Sequence, residues 1–414
     1  MDYFTIATIL IILSALFGYI NERFLKMPLT IGLMIITIIF TSMVVLIGQF
    51  NDTLLIREKA LITQIDFKAV LLDVMLSFVL FAGALHTNFA QLKVQRWPVF
   101  VFATVGVLVS TCLVGVSMYY VLGAINFKID LIYCLLFGAL ISPTDPIAVL
   151  GILKKAGAPK KLETKIVGES LFNDGVGVVV FLTIFSIAES PTGIIEPIKI
   201  LELFGVEVIG GISLGLVLGW ITYKLMKSID DYEVEVIITL AAVMGGTLLA
   251  QQFHLSAPLA MVTSGLIVGN ETVRSNAMSK ITETYVDKFW ELIDVFLNTI
   301  LFVLIGMEML ILTFKTGYII AGLIAIPVVL ICRYLSLWMP IKFFAKRLQF
   351  VPKTNLIMTW GGLRGGISIA LALSLTDAME RELFLVITYI IVLFSIIVQG
   401  LTVEAVVRKY KTIG

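Results

Sequence analysis

The stretch that decides the fold is residues 131–155, which read LIYCLLFGALISPTDPIAVLGILKK. It is apolar and long enough to span a bilayer, which takes about 20 residues of helix. Pro143 and Pro146 lie in its middle, on either side of Thr144 and Asp145. Each proline removes a backbone donor and clashes with the preceding turn, so the helix must break there. Unwound backbone at membrane depth is tolerated only where it lines a cavity or is buried in protein, so the break predicts an internal site.

The composition of the whole chain indicates a membrane protein. Of its 414 residues, 59% are hydrophobic and 14% are charged, against about 25% charged in an ordinary soluble domain. We therefore predict an all-α polytopic membrane protein, with residues 1–414 forming a single membrane domain in the lipid bilayer and no soluble domain. The net charge of +1 gives no reason to expect a nucleic-acid partner. His86 and His254 are the only histidines, which argues against a histidine-based metal site or a nucleophilic triad. We predict neither a cofactor nor an enzymatic activity.

Apolar runs predict about thirteen transmembrane helices. With the N-terminus outside and the C-terminus in the cytoplasm, the inner loops carry 21 of the 30 Lys and Arg residues and the outer loops carry 7. This asymmetry follows the positive-inside rule and supports the count. The remaining two, Arg333 and Arg364, lie within spans, and an intramembrane arginine indicates a functional site. The predicted spans are 4–20, 28–49, 69–86, 97–122, 129–153, 163–189, 200–226, 234–252, 256–270, 286–312, 317–341, 354–375 and 382–405.

The twelfth span is interrupted as the fifth one is. It contains NLIMTWGGLRGGISIALALSL (355–375), in which four glycines surround Arg364. If residues 4–189 and 234–405 are two repeats linked by the span 200–226, the two interruptions fall on the fifth member of each repeat. Interrupted spans at corresponding positions of two repeats indicate the binding site of a transporter. The alternative is two unrelated kinks.

Acidic and polar residues open the sixth span, in GESLFNDGVGVVVF (168–181). Ser170 and Asp174 are four residues apart and share a helix face, Asn173 lies beside them, and Glu169 is rotated by about 100° from Ser170. Ionised carboxylates are costly at membrane depth, so such residues rarely serve packing alone. A plain polar contact between helices remains the alternative.

A cation site follows if the fifth and sixth spans meet at the break. Thr144 and Asp145 would then join Ser170 and Asp174, and the set offers only hard oxygen donors, which suit a small hard cation. Desolvation favours a neutral carboxyl group, so a proton and a cation would compete for one acid. This competition is the physical logic of exchange. Glu169 would pair with one of the intramembrane arginines, because a second unpaired buried charge adds cost.

These residues resemble the monovalent cation/proton antiporters of the sodium/proton exchanger type, in the bacterial NhaP-like branch. The resemblance covers nearly the whole chain, and the combination of TDP, ESLFND and GGLRGG carries it. The matching segments are SPTDPIAVLGILKKAGAPKKLETKIVGESLFNDGVGVVVF (142–181), FAGALHTNFAQLK (81–93), FWELIDVFLNTILFVLIGMEM (289–309), CRYLSLW (332–338) and WGGLRGGISIALALSL (360–375).

The resemblance implies a fold and an activity. It implies two inverted repeats, in which broken helices 5 and 12 cross, and a homodimer with a dimerisation domain and a mobile core domain that works by alternating access. The activity would be exchange of Na⁺, or Li⁺, for H⁺ across the cell membrane. Asp174 would be the essential ion- and proton-binding carboxylate, and Na⁺ would also contact Asp145, Ser170 and Thr144.

The resemblance also implies roles for the remaining polar residues. Glu169 would form an ion bridge, for which we prefer Arg333, with Arg364 at the helix crossing. Asn173 before Asp174 matches the signature associated with electroneutral, 1:1 exchange. Some relatives carry an acid where this chain has FAGA (81–84). That acid would pair with Arg364, so its partner here is left open, and Asp73 lies about two turns away.

Three other functions compete with the exchange of Na⁺ for H⁺. A K⁺/H⁺ antiporter of the same fold is the main alternative, because the sequence does not settle cation selectivity. A cation channel is less well supported, since channels usually line a pore from repeated subunits. An intramembrane aspartyl protease would need a Gly-x-Gly-Asp motif, which the chain lacks. Asp287, Glu291 and Asp294 are interpreted as interfacial charges near the inner end of the tenth span.

Overall fold

A computed structural model describes residues 3–48, 69–145, 153, 157, 160–189, 197–310, 312–344 and 353–411. Every regular element within those ranges is helical. Nine of the described helices are long and apolar enough to cross a membrane. The predicted all-α polytopic membrane fold is thereby confirmed, and the count of thirteen spans stays a prediction.

The described helices follow one another with short connections. Three π-helical segments adjoin them: Asn21–Leu25 continues α1, Ala69–Met75 leads into α3, and Ser395–Gln399 joins α17 to α18. The α-helices are α1 (Tyr3–Ile20), α2 (Leu29–Gly48), α3 (Leu76–Leu85), α4 (Phe89–Val94), α5 (Arg96–Ala103), α6 (Val105–Ala124), α7 (Leu131–Ile141), α8 (Lys160–Glu189), α9 (Pro197–Lys227), α10 (Tyr232–Gln252), α11 (Ala257–Val268), α12 (Glu271–Ala277), α13 (Lys280–Glu308), α14 (Thr316–Phe344), α15 (Thr354–Trp360), α16 (Gly366–Leu373), α17 (Arg381–Phe394) and α18 (Gly400–Lys411).

Side-chain caps fix the starts of several helices. Ser256 accepts a hydrogen bond from the backbone of α11, Ser279 does so for α13, and Asp231 does so for α10. Such caps satisfy N–H groups that have no partner within the helix, and each contributes about 1 kcal/mol. The sequence therefore marks these helix boundaries locally, before any tertiary packing.

The helices pack into two bundles. In the first bundle α7 packs on α6 and α8, α14 packs on α6 and α17, and α16 packs on α7 and α17. In the second bundle α11 packs on α3 and α9, and α13 packs on α2, α3 and α10. The first bundle thus takes three consecutive spans from each predicted repeat, the fourth to sixth and the eleventh to thirteenth. Both interrupted spans belong to it.

The two interruptions meet inside the first bundle. Helix α7 is followed by non-helical backbone at residues 143–145, and residues 361–365 separate α15 from α16 without helical structure. The backbone N–H of Asp145 donates to the carbonyl oxygen of Leu363 at 2.8 Å. The breaks predicted in the fifth and twelfth spans therefore cross, as expected. Residues 146–152, which include the second proline of the fifth span, lie outside the described residues.

We predict that Gly138→Ala destabilises the protein. A Cβ atom at Gly138 would collide with the carbonyl oxygen of Thr111 and lie 3.0 Å from the backbone nitrogen of Gly115. Both are backbone atoms of α6 that cannot rotate away, so we expect a loss of about 1–3 kcal/mol from overpacking. Thermal unfolding of the purified protein in detergent measures this loss.

Gly245→Ala is the matched control, because a Cβ atom at Gly245 in α10 meets nothing within 4 Å. This change should be neutral or stabilise the helix by up to about 1 kcal/mol. Equal melting temperatures for the Gly138→Ala variant and the unmodified protein would contradict the close packing of α6 on α7.

Candidate ion-binding site

A cavity of about 50 Å³ lies between the two bundles. Helices α3 and α13 of the second bundle supply a mostly apolar wall, and the crossing breaks with α8 supply the opposite wall. Its polar side chains are Asp145, Asp174, Asn298 and Ser368. The volume has room for a few water-sized species. The cavity is therefore suited to a small ion and not to an organic substrate.

Asp174 is the most deeply buried carboxylate that lines this cavity. It lies on α8, is 2% exposed, and its Oδ1 accepts no hydrogen bond from any described residue. Asp145 and Arg364, of opposite charge, are both close enough to act on Asp174 electrostatically. A buried carboxylate oxygen without a donor is costly, and either a proton or a cation would satisfy it.

Close backbone packing brings Asp145 to the crossing point. A Cβ atom at Gly365 would lie 2.6 Å from Oδ2 and 3.0 Å from Cβ of Asp145. Only glycine leaves room for this approach. The glycines of the twelfth span thus permit the contact of the two breaks, and they place a second carboxylate on the same cavity as Asp174.

A neutral hydrogen-bond network fixes the first break against α8. The Thr144 hydroxyl lies 2.9 Å from the hydroxyl of Ser170 and accepts from the Asn173 amide at 2.8 Å. The backbone N–H of Thr144 donates to Oδ1 of Asn173 at 3.3 Å. All three side chains are buried, and none of them lines the cavity. In this conformation they bind one another, whereas Asp145 and Asp174 face the cavity.

Arg364 contacts the open end of α7. Its Nη1 donates to the carbonyl oxygens of Ser142 at 2.6 Å and Pro143 at 2.8 Å, and its backbone N–H donates to the Ser395 hydroxyl at 2.8 Å. These carbonyls lose helical partners where the span breaks, and the C-terminal end of a helix attracts positive charge. The partner that the sequence left open for Arg364 therefore includes backbone carbonyls. The side chain of Asp73 lies outside the described part of the chain.

Glu169 and Arg333 form a buried ion pair. Oε1 of Glu169 lies 2.5 Å from Nη2 of Arg333, and the two side chains are 1% and 3% exposed. The pair joins α8 to α14, both in the first bundle. Arg333 and Arg364 are also close enough to repel each other, and Glu169 attracts both. The pair therefore balances charge at the back of the site, away from the cavity.

The eight residues that the sequence analysis assigned to the ion site or to its charge compensation all lie in this region. They are Thr144, Asp145, Glu169, Ser170, Asn173, Asp174, Arg333 and Arg364. Two residues that the sequence analysis missed also line the cavity, namely Asn298 of α13 and Ser368 of α16. Polar side chains in apolar spans were the available signal for both. Asp294 had been interpreted as an interfacial charge, yet it is half-buried and accepts two hydrogen bonds from the Asn298 amide. Asp294 does not itself line the cavity, but it contacts Asn298, which does.

Comparison with known proteins agrees with this architecture. Residues 11–409 match the family described as "Sodium/hydrogen exchanger, transmembrane". The chain belongs to this family. It is 48% identical over 407 residues to the "Na(+)/H(+) antiporter NhaP" of Pseudomonas aeruginosa, covering 96% of this chain and 95% of that protein. It is 33% identical over 392 residues to the "Na(+)/H(+) antiporter NhaH" of Halobacillus dabanensis, covering 94% and 93%. The resemblance stated from the motifs is confirmed.

The fold is also that of a solved antiporter structure. The sodium proton antiporter MjNhaP1 from Methanocaldococcus jannaschii superposes with a TM-score of 0.78 at 20% identity, over 99% of both chains. At this identity the likeness shows the fold. It supports the helical membrane architecture of the exchanger family along the whole chain.

We predict that Glu169→Gln lowers thermal stability far more than it changes cation affinity. Removing one partner of a buried ion pair leaves the Arg333 guanidinium uncompensated, which typically costs about 3–5 kcal/mol. The melting temperature and the apparent KM for Na⁺ should be measured on the same preparation.

Glu404→Gln is the control, because it removes the partner of Arg408 from a pair whose side chains are 30% and 64% exposed. Exposed pairs contribute at most about 1 kcal/mol, so this variant should unfold nearly as the unmodified protein does. A normal melting temperature with a strongly raised KM for Glu169→Gln would mean that Glu169 binds the transported ion.

Proposed function

We propose that this protein is a secondary antiporter that exchanges Na⁺, or Li⁺, for H⁺ across the cell membrane, electroneutrally and at 1:1. The observation that carries the proposal is the balance of charge around the cavity. Three carboxylates, those of Glu169, Asp145 and Asp174, lie near two guanidinium groups, those of Arg333 and Arg364. With all five ionised, the site carries one excess negative charge.

One monovalent cation or one proton neutralises this excess. An uncompensated charge in a buried site costs several kcal/mol, so the empty, fully ionised site is the least favourable state. Asp174 is the group that the cation and the proton share, because its Oδ1 has no other partner among the described residues. Once the cation is bound, the site has no excess negative charge left for the proton, and the reverse also holds. The cation and the proton therefore cross the membrane in opposite directions in alternate steps. Asp145 supplies a second carboxylate oxygen that binds the cation.

The neutral residues support this role without taking part in the charge balance. Thr144, Ser170 and Asn173 hold the broken span in position, and they come near enough to complete or order the ion's shell when the site is loaded. The names of the relatives as Na⁺/H⁺ antiporters support the same substrates. No step of this mechanism needs a cofactor or a chemical transformation, so we propose transport and not catalysis.

The arrangement of the helices supports alternating access. The cavity has one wall from each bundle, so movement of the first bundle against the second would open it to either side of the membrane in turn. We further propose a homodimer, two inverted repeats (4–189 and 234–405) linked by 200–226, and an orientation with the N-terminus outside and the C-terminus in the cytoplasm. The charge distribution of the loops supports this orientation.

Potassium is the alternative cation. The oxygen ligands of the cavity do not distinguish alkali cations by their charge, so the number of ligands and the size of the cavity decide the preference. A channel is less well supported. One wall of the cavity is formed by the two crossing segments and their charged residues, which pack against each other and, in the described part of the chain, do not line a continuous pore. Transport of Na⁺ against its gradient, driven by a proton gradient, separates the antiporter from the channel.

We predict that Asp174→Asn abolishes cation-driven proton movement. The amide is similar in size but binds no proton at neutral pH and supplies no charge for a cation. The measurement uses purified protein in liposomes with a trapped pH dye, with Na⁺, Li⁺ or K⁺ added outside in turn and the voltage clamped by an ionophore. Exchange that persists in this variant would mean that another group binds the ion. No response of the unmodified protein to any cation would contradict the proposed function itself.

We predict that Asn173→Asp makes the remaining exchange sensitive to membrane voltage. A carboxylate at this position adds a second excess charge beside Asp174, so one cation no longer neutralises the site. Asn173→Ser removes the amide contacts to Thr144 without adding charge, and it separates disturbed geometry from altered charge. Initial rates at imposed voltages test the idea, and a voltage-insensitive Asn173→Asp variant would leave the one-charge account without support.

A further inference from the structure

Ser368 carries a buried hydroxyl near the interruption of the twelfth span. It lies in the first turn of α16, is 1% exposed, and its Oγ makes no hydrogen bond to any described residue. Buried serines in helices usually donate to the carbonyl four residues earlier, as Ser374 does to Ala370 at 2.9 Å. For Ser368 that residue is Arg364, which lies in the unwound segment. Leaving a buried hydroxyl unpaired is unfavourable, so the group calls for a partner.

The cavity is where such a partner would lie. Ser368 lines it together with Asp174, whose Oδ1 is also unpartnered. Two residues that each carry a buried oxygen without a hydrogen bond to the described part of the chain therefore line the same small space. A cation bound in this space would be coordinated by both oxygens at once, whereas a proton would be bound by Asp174 alone.

Asn298 occupies the opposite wall. It is 4% exposed, and among the described residues that line the cavity it is the only polar side chain from the second bundle. Its amide nitrogen donates to the carboxylate Oδ1 of Asp294 at 2.9 Å and to the backbone carbonyl of Asp294 at 2.8 Å. Both amide hydrogens are thereby used, so the carbonyl oxygen is the atom that Asn298 can offer to a ligand.

We propose that Ser368 and Asn298 are ligands of the transported monovalent cation, one from each bundle, and that Asp294 is a positioning residue that orients the Asn298 amide. The inference rests on the proposed function and deepens it. Both ligands are neutral oxygens, so they add coordination without changing the charge balance that fixes the 1:1 exchange. Ligand number and cavity size then determine affinity and the preference among Na⁺, Li⁺ and K⁺.

The test compares Ser368→Ala and Asn298→Ala with two matched controls. Ser374→Ala changes the residue directly after α16 and removes a half-buried hydroxyl that donates to the carbonyl oxygen of Ala370. Thr299→Ala alters the neighbour of Asn298, which is half-buried and whose hydroxyl donates to the backbone carbonyl of Val295. In proteoliposomes, each cavity variant should raise the apparent KM for Na⁺ by about 3–10-fold, the usual effect of one lost polar contact. The maximal rate should change less than twofold, and both controls should keep the original KM.

A second readout does not depend on transport. Na⁺ that binds the folded protein raises its melting temperature in a concentration-dependent manner. The midpoint of this effect should move with the KM in Ser368→Ala and Asn298→Ala, and Ser368→Thr should restore both, because it restores the hydroxyl. An unchanged KM and an unchanged midpoint in both alanine variants would overturn the proposal. A fall in maximal rate alone would also overturn it, because it indicates a structural role.

Variants at Asp294 test the positioning role. Asp294→Asn keeps an acceptor for the Asn298 amide and should keep the KM. Asp294→Ala removes it and should raise the KM as Asn298→Ala does, with no further rise in the double variant, since the two act through one contact. An additive double variant would overturn this role. Absence of any Na⁺ response in the unmodified protein contradicts the proposed function, whereas normal exchange with unaffected cavity variants contradicts only the ligand assignment.

Discussion

The hydrogen bonds from Arg364 to the end of α7 are the contact on which the rest of the site depends. A spanning helix that stops in mid-membrane leaves carbonyl groups without partners, and no water is at hand to satisfy them. The guanidinium donates to two of these carbonyls, those of Ser142 and Pro143, and places a positive charge at the negative end of the helix dipole. The break is thus stabilised by a charge from the other interrupted span, which also holds the two spans together.

This contact has a cost that the acids offset. The buried guanidinium of Arg364 requires negative charge nearby. The guanidinium of Arg333 lies close to it, so more negative charge is needed to compensate both. Glu169 satisfies Arg333 directly at 2.5 Å. Asp145 and Asp174 then surround the crossing point with more negative charge than Arg364 supplies. The same interaction that permits the broken helices therefore creates a site with room for one further positive charge.

Much of this arrangement could be predicted from the sequence, because rare residues mark it. The prolines of the fifth span, the glycines around Arg364 and the acids of the sixth span each violate the ordinary composition of a membrane helix. Their violation indicates a site. The partner of Arg364 could not be predicted, because backbone carbonyls exist at every position and only the fold decides which ones lose their helical partners.

The neutral ligands escaped prediction for a related reason. Ser368 and Asn298 are inexpensive in a helix, where serine usually bonds its own backbone, so neither stands out in an apolar span. Their proposed role depends on the fold, which places the two residues on opposite walls of the same cavity. For Ser368 it depends also on the interruption of the span, which removes the helical carbonyl four residues earlier. Charge balance and coordination are thus encoded separately. In the proposed mechanism, charged residues, which stand out in the sequence, determine how many cations replace a proton, and neutral oxygens, which only the fold brings together, determine which cation binds.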